Sequence, residues 1–172
     1  MKRTNQQRGA TILEAAVTTV VLFTFLFAIM GFGRAFNIYQ VVTDAAREGA
    51  RFAVAPDANN VATPYALPTA SAVATRVCNY LQAANINPAA GTCALAAGPG
   101  GPTCANGGTL APGVQPGVYV LQGCSQFVNG IQTYYTEVDV KVPYRFFFLP
   151  FNVNLTTRAV MRNEATSQLY GN

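Results

Sequence analysis

The sequence contains no histidine and no tryptophan, and only 10% of its residues are charged. Histidine is the commonest general base near neutral pH and the commonest metal ligand. Its absence excludes a serine–histidine triad and any zinc site built on imidazole. The charged fraction lies well below the roughly 25% of an average soluble domain, while hydrophobic residues reach 51%. That imbalance points to a membrane segment or to a subunit buried in an assembly. The net charge of +4 does not mark a nucleic-acid binder. Residues 1–51 hold +3 of it, through Lys2, Arg3, Arg8, Arg34, Arg47 and Arg51 against Glu14, Asp44 and Glu48. The remainder holds +1 and has no basic stripe interleaved with aromatics. A length of 172 residues accommodates one domain with an appendage.

From Ala15 to Phe32 the chain reads AAVTTVVLFTFLFAIMGF, a run without charge. Its length is close to the roughly 20 residues that a helix needs to cross a bilayer. Lys2, Arg3 and Arg8 precede it with no acid among them, so the positive-inside bias predicts a cytoplasmic N-terminus and a C-terminal part across the membrane. A cleaved secretory signal fits less well, because the run is longer than a usual signal core and no A-x-A pattern follows it. Glu14 stands just before this run. A carboxylate in the apolar layer costs on the order of 3 kcal/mol at a helix centre, less near the interface, and is normally kept for a partner or a pathway. A glutamate that only snorkels to the bilayer surface is the bland alternative.

Helical character continues past the bilayer. No proline occurs before Pro56, and Ala45, Gly49 and Ala53 recur at i, i+4, i+8, a stripe of small residues that lets another helix approach closely. Glu48 and Arg51 stand at i, i+3 in the favourable order. A helix over 10–55 would be roughly 70 Å long at 1.5 Å per residue, more than anchoring requires.

The distal part, residues 56–172, begins with the Pro- and Asn-containing linker PDANNVATPYALP. The spacing of Ala72, Val73, Val77, Leu81 and Ala84 predicts a second helix over about 69–84, capped by Thr69 or Ser71 and followed by Pro88. Residues 88–117 are rich in glycine and proline and read as an extended loop that needs a staple. Cys78, Cys93, Cys104 and Cys124 are even in number, and with this topology they lie in an oxidising compartment, so two disulfides are expected. Of the three connectivities, the expected one is Cys93–Cys104 inside the loop with Cys78–Cys124 joining helix to sheet. A four-cysteine zinc site is disfavoured, since the spacings lack a close C-x-x-C pair. Strict alternation over 134–144 and 152–162, with VYVLQGC before them, predicts a small antiparallel sheet of about three strands packed on helices, hence an α+β fold. On the middle strand Tyr134, Val138, Val140, Val142 and Tyr144 form the buried face. Tyr135, Glu137, Asp139 and Lys141 are expected on a solvated face, with Arg158 nearby. Two carboxylates on one face also suit acid/base chemistry or a cation site, but the solvated face is the simpler reading. FFFLPF, residues 146–151, is either core or a subunit contact, and the NLT at Asn154 has meaning only in a glycosylating host.

RGATILEAAV and the stretch FGRAFNIYQVVTDAAREGARFAV resemble the type IV pilin-like superfamily, and within it the TadE family of pseudopilins from tight-adherence (Flp) pilus systems. VDVKVPYRFFFLPFNVNLTTRAVMRNE is similar to the C-terminal end of that family. The resemblance implies a basic leader, residues 1–9, removed by a prepilin peptidase between Gly9 and Ala10, which makes Glu14 the fifth mature residue. Glu14 would then pair with the freed amine of Ala10 in its own or a neighbouring helix, neutralising both charges on assembly. It further implies a single-pass protein of the bacterial inner membrane whose distal domain is periplasmic or extracellular and which joins a surface pilus. Its partners would be other pilins and pseudopilins, in a homo- or hetero-oligomer, and the inner-membrane assembly platform. A minor subunit acting in initiation or at the tip is favoured over a major one, because major Flp subunits are little more than the helix. The alternatives are a structural pilus subunit and a stand-alone membrane-anchored binding module. The sequence offers no credible nucleophile, base or metal set for an exported enzyme, and no cofactor is expected.

Overall fold

The computed structural model describes residues 4–55, 67–86, 95, 104, 115–128, 130–146 and 152–163. Most of the linker, most of the 88–117 loop, five residues of FFFLPF, Cys93 and the side chains of residues 1–9 lie outside that set. No proline interrupts the first element, α1, Thr4–Val54, whose 51 residues span about 76 Å at 1.5 Å per residue. It starts earlier than residue 10 and carries its helical backbone straight through Gly9 and Ala10.

The second helix, α2, Ala70–Ala83, is fixed at both ends by local chemistry. Thr69 caps it, its Oγ1 accepting from the amide of Ala72 at 3.3 Å. At the other end Asn85 adopts a left-handed φ of 56°. Its amide donates to Gln82 while that of Ile86 donates to Leu81, both at 2.9 Å, a Schellman stop that satisfies the terminal carbonyls. The apolar stripe Val73, Val77 and Leu81 is fully buried.

Three strands follow: β1, Gly117–Val128; β2, Ile131–Arg145; and β3, Asn152–Arg162. They form an antiparallel sheet in the order β1-β2-β3. Gly130, at φ 80°, turns β1 into β2. A bulge between Leu121 and Cys124, with Gly123 at φ 72°, adds one residue to β1 and sets Cys124 opposite Tyr135. Both helices pack on one face of the sheet, the face of Val118, Val138, Val140, Val142 and Ala159. The α+β architecture follows, with its core on the distal half of α1 only.

The other face of β2 departs from the expected pattern. Glu137, Asp139 and Lys141 are buried, at 0%, 2% and 7% exposure, so the middle strand is covered on both sides. Alternation on a strand reports two faces and is silent about whether a remote segment covers the second. Within 88–114 the described residues are Leu95, bridged to Val118 on the free edge of β1, and Cys104, bonded to Cys124 of β1.

Candidate functional site

From Ala10 to Met30 every residue of α1 is exposed, including Ile12, Leu13, Val20, Leu22, Phe25 and Ile29. The helix has a mean hydropathy of 2.3 in its most apolar window, none of it buried. Length and composition suit a membrane span. The polar side chains within it are internally satisfied: the hydroxyls of Thr18, Thr19 and Thr24 donate to the carbonyls of Glu14, Ala15 and Val20 at 2.7–2.9 Å, as lipid requires. Glu14 is the exception. It lies exposed in a shallow depression beside Thr11, Ala15 and Thr18, and among the described residues it forms no ion pair.

Beyond the span α1 turns from exposed to packed. Ala45, Gly49 and Ala53 form the buried stripe that the spacing implies. The helix that approaches it is α2 of the same chain. A Cβ on Gly49 would strike Cγ2 of Val77 and come within 3.4 Å of Cγ1 of Val138, so α1, α2 and β2 meet at this glycine. Glu48 pairs with Arg76 of α2 at 2.9 Å in place of the expected partner Arg51. With Arg76 more than half exposed, that pair is worth at most about 1 kcal/mol.

On the second face of the sheet two carboxyl groups are shut away from water beside a partly exposed arginine. Nη2 of Arg158 on β3 donates to Oε2 of Glu137 at 2.6 Å, a diagonal pair across β2 and β3. Burial pushes the Asp139 carboxyl up to about 7, helped by the neighbouring Glu137 charge and by a hydrogen bond between the two carboxyls, and opposed by Arg158. Among the described residues, Oε1 of Glu137 and Oδ2 of Asp139 have no hydrogen-bond partner. Tyr119 of β1 stands opposite Asp139, its hydroxyl donating to the Gln115 carbonyl at 2.7 Å and its pKa raised by burial. The expected solvated face is therefore corrected to a buried one. No group of three or more histidine, cysteine or acidic residues among those described is placed to hold a metal. The disulfide expectation is corrected too: Cys104 bonds Cys124, which rules out both expected pairs. Sequence spacing leaves connectivity open, whereas the bulge turns Cys124 toward Cys104, whose carbonyl accepts from Tyr135 at 3.1 Å. Cys78 is also disulfide-bonded.

Residues 9–51 match the profile of the family described as TadE-like protein. This segment is similar to the TadE-like family. The match spans the exposed apolar part of α1, Glu14 and the first part of the packed segment, and ends before the distal domain. No curated protein and no solved structure matches the chain. A match of this kind suggests a general association with tight-adherence pili, and the exposed helix is a candidate anchor.

Two features are missed by the sequence alone. One is the burial of Glu137 and Asp139, for which a signal exists: no charged residue occurs from Val77 to Thr136, so this stretch has no charge to keep in water. The other is a groove where β2 returns to α1, near Gly31, for which periodicity holds no signal. There the Tyr144 hydroxyl lies 3.4 Å from the Gly31 carbonyl, and the Phe146 ring stands edge-on to Phe32 at 5.9 Å.

Proposed function

We propose that this protein is a membrane-anchored minor pseudopilin, processed by a prepilin peptidase between Gly9 and Ala10, that acts by assembly in the initiation or tip of a tight-adherence pilus and carries no enzymatic activity. The observation that carries this reading is the exposed apolar half of α1 with Glu14 as its solitary acid, within the TadE-like match. The N-terminus is cytoplasmic, the distal domain lies across the inner membrane, and the partners are other pilins and the assembly platform. A helix lying wholly in lipid gains little by burying apolar side chains against its neighbours, so a buried ion pair between Glu14 and the freed Ala10 amine would supply contact and register.

Two outcomes test it. The mature chain is expected to begin at Ala10, read by intact mass; retention of Met1 would favour the stand-alone binding module instead. Glu14→Ala is expected to reach the membrane at normal level, since a lone helix inserts at least as readily without the charge, with the distal domain folded, yet to abolish pilus assembly. Glu14→Gln keeps shape and hydrogen bonding while losing charge, and is expected to fail likewise if ion pairing is the cause. Normal assembly by both variants would sink the proposed role.

A further inference from the structure

The groove between the end of the membrane span and the returning strand β2 is lined in part by Phe27, Met30, Arg34, Tyr144, Arg145 and Phe146 and encloses about 840 Å³. Among the described residues its lining contains two guanidinium groups and no carboxylate. Among the described residues neither Arg34 nor Arg145 forms an ion pair, and both are exposed. The apolar floor, Phe27 and Met30, is continuous with the exposed face of the span. The uncharged run ends at Gly33, and Arg34 follows it, about 3 Å beyond Phe32 along the axis. That is where a bilayer changes from hydrocarbon to phosphate, and where aromatic rings with polar tips such as Tyr144 gather.

We propose that this groove is a binding site for an anionic phospholipid of the leaflet facing the distal domain, its phosphate held by Arg34 and Arg145 and the start of an acyl chain lying along Phe27 and Met30. The chemistry is complementary at both ends: guanidinium forks match phosphate oxygens bidentately, and the floor offers apolar surface already in contact with lipid. A soluble anion would use only the charged half. Bound there, the lipid would bridge α1 and β2, filling the angle between the anchor and the domain it carries.

The inference rests on the membrane-anchor reading. Full-length chain reconstituted in vesicles of equal parts phosphatidylglycerol and phosphatidylcholine, then gently extracted and weighed by native mass spectrometry, is expected to retain one phosphatidylglycerol over phosphatidylcholine by roughly 10- to 30-fold, the value of two juxtamembrane arginines. Arg34→Ser/Arg145→Ser should bring the two lipids to parity, and Arg34→Lys/Arg145→Lys should restore part of the preference. Both pairs are exposed, so near-ultraviolet circular dichroism of the distal domain should be unchanged. Parity in the wild-type chain, or a preference that survives the serine pair, would overturn the lipid site. Displacement of the lipid by inorganic phosphate would overturn it in favour of a free-anion site. Failure of the chain to enter vesicles of either composition would overturn the anchor reading together with the site, whereas entry with parity overturns the site alone.

Discussion

Gly49→Leu is expected to part α1 from α2 and leave the distal domain without its cooperative transition. A Cβ here already overlaps Cγ2 of Val77, and two further neighbours, Val138 and Val73, close the space at 3.4 and 3.8 Å. All three valines are fully buried, so none can rotate into solvent. Overpacking one extra methyl into such a core costs about 1–3 kcal/mol, against which Gly49→Ala gains about 1 kcal/mol of helix propensity. Alanine should therefore be destabilising by up to about 2 kcal/mol. Leucine brings three more carbons and should exceed the 5 or so kcal/mol that a small domain has at the low end of the usual range. Denaturant unfolding of the full chain in detergent, followed by tyrosine fluorescence, reads both. Val77→Ala in the Gly49→Ala background reopens the space and should recover part of the loss. A stabilising Gly49→Ala would mean that the two helices do not approach closely at this residue.

Arg158→Met is expected to cost about 3 kcal/mol, the low end for breaking a buried pair, because the arginine is 30% exposed while Glu137 is fully enclosed. Methionine keeps most of the stem packing, so the loss reports the charge. Glu137→Gln added to Arg158→Met should return much of it, since the Glu137 charge that the first change leaves unpaired is then gone. The same cluster gives the domain a pH dependence. The folded Asp139 carboxyl titrates at about 7, against 3.8 for the ordinary group. Below 3.8 folded and unfolded chains both hold the proton. Between about 4 and 7 only the folded chain holds it, so this group's contribution is lost as pH rises through that window, with a ceiling of about 4 kcal/mol at 1.36 kcal/mol per pH unit. Asp139→Asn is expected to flatten the slope and to stabilise the domain relative to wild type at pH 8 more than at pH 4. An unchanged difference between the two proteins across that range would place Asp139 in water.

Local pattern carried most of the architecture. The uncharged run and the absence of proline set α1; Thr69, the 3.6-residue spacing and the chain stop near Ala84 set α2 within a residue of its ends; two-residue alternation marked β2 and β3. The matched segment, 9–51, lies in the part of the chain whose character is written in consecutive residues. These features depend on neighbours a few positions apart, which a sequence displays directly.

Tertiary structure alone decided what those elements meet. The stripe Ala45, Gly49 and Ala53 has the same spacing whether it receives a second subunit or the chain's own α2, and it receives α2. Glu137 and Asp139 alternate identically on a wet or a covered face, and only the folded chain buries them. Four cysteines permit three pairings, and the bulge at Gly123 selects Cys104 for Cys124. Arg34 and Arg145 lie more than a hundred positions apart and line one groove because β2 runs back to the end of the exposed apolar part of α1. In each case periodicity specifies which way a side chain points, while the energy of burial or pairing depends on a partner distant in the chain.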